Sequence, residues 1–202
     1  MTSSLVGSEM CIRDSAMTHA IEAYVSTANC DYTDALALHA MKMIKDDLVG
    51  SYNEDMEKRD AMHNAQCLAG MAFSNVGLGV VHGMAHPLGA IFDIPHGVAN
   101  ALLLPIIMEF NASAALDKYV EIAKAMKVYK EGMSQEEAAR AAVDAVRALS
   151  VRVGIPQHLS ELGIKESDLD KLATAAIADV CTPGNPREVT KEIILDLYKK
   201  AL

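Results

Sequence analysis

Apolar positions recur with a helical period along almost the whole chain, and no segment alternates convincingly with period two. The pattern starts abruptly at Ala16, where Met17, Ile21 and Tyr24, with Ala20 between them, fall on one face of a helix that also carries His19. Asp31-Tyr32-Thr33-Asp34 reads as a cap before a second helix over about 33–48, whose Ala35, Leu38, Met41 and Ile44 keep the 3.6 period. After a turn at 50–53, residues 54–73 are charged first and apolar later, which predicts a helix that enters the core as it proceeds. Residues 76–85 are apolar all round, the mark of a buried helix. Pro87 disfavours helical geometry at His86, so this helix is expected to end or kink there. Further helices are predicted over about 98–110, interrupted near Pro105, and over 112–126. Ser134 and Glu137 form a capping-box signature for a helix reaching about Val153. Two last helices follow over 166–180 and 190–202, joined by the loop from Cys181 to Arg187. The fold class is all-α, a helical bundle around one contiguous core.

Residues 1 to about 15 lack this period and are read as a non-native or disordered tail. The remainder, 16–202, reads as one helical domain.

Charge and composition narrow the function classes. A net charge of −9 makes attraction to nucleic acid or to an anionic membrane a poor expectation. Cys11, Cys30, Cys67 and Cys181 form neither a CxxC pair nor a zinc-finger spacing, which suits reduced thiols in a cytoplasmic protein. No signal peptide and no run of 18 apolar residues is evident, so no membrane span is expected.

The chemistry concentrates between Gly77 and Asn100. His82 and His86 are four apart, which on a helix puts both imidazoles on one face, and Pro95-His96-Gly97 offers a third from the following turn. Neutral imidazole is the commonest protein metal ligand, and three within fifteen residues among small residues point to a metal site. Gly77 to His82 lacks the last glycine and the preceding strand of a dinucleotide fingerprint, and HExxH is absent. A hydrolase using the same imidazoles would need a carboxylate base, for which Asp93 is the candidate close in sequence. A non-catalytic helical interaction domain is the remaining alternative.

The stretches THAIEAYVS, GLGVVHGMAHPLGAIFDIPHGVANALLLP and TPGNPREVT resemble the C-terminal half of the iron-containing alcohol dehydrogenases, in the branch that includes lactaldehyde reductase and 1,3-propanediol dehydrogenase. The resemblance runs from about Ala16 to Leu202. It implies the helical C-terminal domain shared with dehydroquinate synthase-like enzymes. It also implies a partner nucleotide-binding half, for which this chain has neither a phosphate loop nor a βαβ pattern, and a homo-oligomer in the intact enzyme. Carried over by motif, His19, His82 and His96 are metal ligands, and His86 serves in catalysis beside the nicotinamide. Phe73 and Cys181 line the substrate pocket. The fourth ligand, an aspartate in the family pattern, falls on Ser15, with Asp14 one residue further away. The implied cofactors are Fe²⁺ and NAD or NADP; the donor set suits Zn²⁺ as well. The implied activity is interconversion of a small primary alcohol or diol with its aldehyde, with little turnover expected from this chain alone.

Overall fold

The computed structural model describes residues 15–202, and among these there is no β-strand. The described residues form nine α-helices: α1 over 15–25, α2 Asp31–Tyr52, α3 Met56–Val76, α4 Val80–Phe92, α5 His96–Asn111, α6 Leu116–Ala125, α7 Gln135–Arg152, α8 Leu169–Ile177 and α9 Lys191–Ala201. The reading of residues 1 to about 15 as a tail lies outside the described residues except at Ser15, which is buried in the first turn of α1.

The first helix is more deeply set than its one-face pattern suggested. Ala16, Met17, Ala20, Ile21, Ala23, Tyr24 and Val25 are all buried, and His19 alone among residues 15–25 keeps partial exposure. Short side chains let neighbouring helices close on every side of α1. The following elements pack in pairs: α2 on α3, α6 on α7, α8 on α9, with α4 held against both α5 and α8. Fully buried Met41, Ile44, Met62, Met84, Leu88, Leu103, Ile107 and Ile122 fill the space between them. Each such side chain contributes about 1.5–3 kcal/mol on leaving water.

The capping box at Ser134 holds as read. Ser134 Oγ accepts from the Glu137 amide at 3.2 Å while Glu137 Oε2 accepts from the Ser134 amide at 2.8 Å, the reciprocal box that starts α7. Thr190 caps α9 by accepting from the Ile193 amide.

Elsewhere tertiary packing overrides local propensity. The apolar run at 76–85 is split, because Gly77 adopts φ 74° and ends α3, after which α4 departs at 104°. The helix expected to end or kink at His86 continues through Pro87 to Phe92. An internal proline costs about 3 kcal/mol. Here Val80, Val81, Met84 and Leu88 are buried around it, and the Tyr198 hydroxyl donates to the nearby Met84 carbonyl at 2.6 Å. Likewise α5 runs unbroken through the buried Pro105 and begins at His96 itself rather than at Val98. The segment His96–Ala114 is long and apolar enough to cross a bilayer by length and composition, but 61% of it is buried inside the fold, as in a core helix.

Candidate functional site

Helix α1 delivers His19, α4 delivers His82 and His86, and the first turn of α5 delivers His96. The sharp turn between α4 and α5, where Asp93 takes φ 57°, brings the start of α5 back beside the middle of α4. The His19 and His82 rings stack with centroids 4.7 Å apart, and the His96 ring lies 5.2 Å from His82 and 6.4 Å from His19. One ring nitrogen from each of the three lies within 4.8 Å of the others. His86 stands beside the three, 5.8 Å from His82 and 5.6 Å from His96 between ring centroids, but outside that set. Spacing alone paired His82 and His86. The fold brings in His19, from more than sixty residues earlier, in place of His86.

A carboxylate that sequence reading missed organises the centre. Glu22 is 3% exposed and lies one helical turn beyond His19. Its Oε2 is 2.5 Å from His82 Nδ1, and its Oε1 accepts from the Val81 amide at 2.7 Å. This holds Nδ1 in its protonated form and turns the Nε2 lone pair inward. His82 Nε2 is buried and has no hydrogen-bond partner. Leaving such a group unsatisfied costs about 1–3 kcal/mol, which a shared cation relieves. Room for Glu22 depends on Gly79, because a Cβ there would come within 2.9 Å of Glu22 Oε1 and 3.1 Å of Asn185 Oδ1. On α5, Asn100 donates to the His96 carbonyl at 2.9 Å and its Nδ2 lies 3.1 Å from His96 Nε2, tying ring to helix.

Burial and mutual repulsion keep His19 and His96 neutral. Burial, then repulsion from His82 and His96, lowers the His19 pKa to about 3. Burial, then His82 and His86, lowers that of His96 to about 4. Neutral imidazole is the form that binds metal. The three residues therefore fit a divalent ion by position and by an orphaned buried nitrogen, and His19 and His96 also by protonation state.

Phe73, half-buried near the end of α3, stacks on His19 at 4.5 Å and walls one side of the cluster. On another side, His86 Nδ1 lies 2.8 Å from Asp179 Oδ2, and Asp179 Oδ1 accepts the Cys181 amide at 2.9 Å. Burial works against ionisation of Asp179, yet the hydrogen bonds from Cys181 and His86 hold its pKa below the usual carboxylate value. Burial, then the charge of Asp179, pushes the Cys181 thiol up to about 12. Asp179 is the second residue that sequence reading missed. Asp93, the base required by the hydrolase alternative, is exposed at the C-cap of α4, and the carboxylates that reach imidazoles are Glu22 and Asp179. Of the two positions named for a fourth ligand, Ser15 is buried at the start of α1 and Asp14 lies outside the described residues.

Residues 14–202 match the profile of the Fe-containing alcohol dehydrogenase family, C-terminal part. Lactaldehyde reductase from Escherichia coli strain K12 is 53% identical over 186 residues, covering 92% of this chain and 49% of that protein. The crystal structure of a 1,3-propanediol oxidoreductase superposes with a TM-score of 0.92 at 41% identity, covering 94% of this chain and 50% of that one. A sulfoacetaldehyde reductase from Bifidobacterium kashiwanohense, solved in complex with NAD⁺, superposes with a TM-score of 0.84 at 26% identity, over 96% of this chain and 51% of that one. The chain thus spans about half the length of the relatives it matches. Close identity in sequence and the same arrangement of helices agree over nearly all of these residues, and on that ground the chain belongs to the Fe-containing alcohol dehydrogenase family.

Proposed function

We propose that this chain is the metal-binding half of an NAD(P)-dependent oxidoreductase that interconverts a small primary alcohol or diol with its aldehyde. The observation that carries the reading is His82 Nε2, buried without a partner and faced by His19 and His96. These three imidazoles hold Fe²⁺ or Zn²⁺, and the fourth ligand position falls on Ser15 or Asp14. When bound, the cation supplies Lewis-acid polarisation of the alcohol or carbonyl oxygen and the nicotinamide carries the hydride.

The chain's own residues supply orientation and proton handling. Glu22 keeps His82 in the tautomer that presents Nε2. Asp179 holds Nδ1 of His86, which leaves the other ring nitrogen of this half-exposed imidazole to exchange a proton with the substrate hydroxyl. Phe73 and Cys181 border the space beside the cluster and limit the size of the alcohol that enters. A nucleotide-binding half, and an oligomer of the intact enzyme, complete the proposal.

The test joins residues 14–202 to the nucleotide-binding half of the E. coli lactaldehyde reductase. The chimera is expected to oxidise propanediols with NAD⁺ and to lose this on chelation or on His82→Ala, while the 202-residue chain alone turns over none. Positioning of the two reactants, worth about 7–11 kcal/mol of barrier, is what the chain alone lacks. Activity that survives metal removal and His82→Ala would overturn the assignment, as would a purified chain whose metal content is the same with and without His19, His82 and His96.

A further inference from the structure

Beside the three-histidine cluster lies a second group of donors that shares no residue with it: His86, Asp179 and Cys181, each offering one atom within 4.8 Å of the others. We propose that these three residues form a second cation site, for a borderline divalent ion of the zinc type. The donor set decides the class. An imidazole nitrogen, a thiol sulfur and a carboxylate oxygen suit Zn²⁺ and Co²⁺, whereas Mg²⁺ and Ca²⁺ take oxygen ligands.

Geometry and access support it. Tetrahedral ligands at about 2.0–2.3 Å from zinc lie about 3.3–3.8 Å apart, so a movement of about 1 Å closes this set. Asp179 already draws both partners together, with His86 Nδ1 at 2.8 Å from Oδ2 and the Cys181 amide at 2.9 Å from Oδ1. The side chains of His86 and Asp179 are 39% and 16% exposed, so an ion reaches them from solvent and keeps an open position for water. The two elements involved are rigidly joined, since α4 packs on both α8 and the short 3-10 turn Thr182–Gly184 that follows Cys181.

Binding releases one proton, that of the Cys181 thiol. His86 offers Nδ1 by a change of tautomer, and Asp179 gives up hydrogen bonds for a metal–oxygen bond. Thiolate and carboxylate together cancel the charge of the ion. On the functional reading proposed above, His86 and Cys181 border the substrate space, so zinc in this site inhibits the intact enzyme.

Cobalt alone, titrated into the metal-stripped 202-residue chain, tests the proposal. Co²⁺ bound to a thiolate gives a sulfur-to-metal charge-transfer absorption that an all-imidazole site lacks. Two equivalents are expected to bind, one with that band. Cys181→Ser should remove the band and one equivalent, Asp179→Asn should weaken that equivalent at least tenfold, and His82→Ala should remove the other equivalent and keep the band. Saturating Zn²⁺ should also slow alkylation of Cys181, read by peptide mapping of the unmutated chain. Absence of the band with unchanged alkylation of Cys181 in zinc, or a band that survives Cys181→Ser, would overturn the second site and leave the first untouched. An unmutated chain that binds only the Cys181-dependent equivalent would count against the functional reading and not against this site.

Discussion

Glu22→Gln separates the role of a carboxylate from its shape. In the wild-type chain Oε1 accepts from the Val81 amide at 2.7 Å and Oε2 from His82 Nδ1 at 2.5 Å, with both side chains at most 3% exposed. Glutamine fills the same volume but keeps only one acceptor. If its carbonyl serves Val81, which is a fixed backbone donor, the amide nitrogen faces His82 Nδ1. The ring must then accept at Nδ1 and carry its proton on Nε2, where no lone pair remains for a metal. Loss of an outer-shell partner of this kind costs about 10- to 100-fold in metal affinity, or about 1.4–2.7 kcal/mol. The metal-free fold should lose about 1–3 kcal/mol if the wrong tautomer is not adopted and two donors meet. Competition against a chelator of known affinity reads the first quantity, urea unfolding reads the second, and ¹⁵N shifts of the His82 ring report the tautomer directly. A Glu22→Gln chain that retains its fold and binds Zn²⁺ as tightly as wild type would refute the reasoning.

Three other outcomes follow from the same structure. Gly79→Ala puts a Cβ 2.9 Å from Glu22 Oε1, so it should reproduce the loss of metal affinity through displacement of Glu22, and equal affinity by the same competition would show that Glu22 has room to move. At pH 8, with its thiol pushed up to about 12, Cys181 should react with iodoacetamide more than 100-fold more slowly than the exposed Cys67, as followed by peptide mass spectrometry. The metal-free fold should weaken as pH falls from 6.5 towards 3: His19 has an ordinary value of 6.5 when unfolded and about 3 when buried, so below 6.5 the unfolded chain binds the extra proton. The loss approaches about 1.4 kcal/mol per pH unit for this one group, and urea midpoints that fall equally steeply in His19→Gln would assign the effect elsewhere.

The helices and the all-α class are legible along the chain because amphipathic period and caps are local properties, as the Ser134–Glu137 box and the Thr190 cap illustrate. The cluster of His82, His86 and His96 is equally legible, since all three lie within one short stretch. What local pattern cannot determine is which imidazoles converge. His19 joins His82 and His96 because the buried helix α1 is tied to α4 through Glu22, and His86, one turn along the same helix, turns instead towards Asp179. Glu22 had a signal in the sequence, a lone charge in the otherwise apolar run Ala20-Ile21-Glu22-Ala23, but its partner is sixty residues away. Pro87 shows the same division from the other side. Its local preference ends a helix, and the burial of Val80, Val81, Met84 and Leu88 against α5 and α8 outweighs it. Sequence determined the all-α class, most of the helices and the short stretch that holds His82, His86 and His96. Tertiary structure decided which of those residues meet, because pairing across ninety residues is set by the packing of whole helices rather than by any neighbour in the chain.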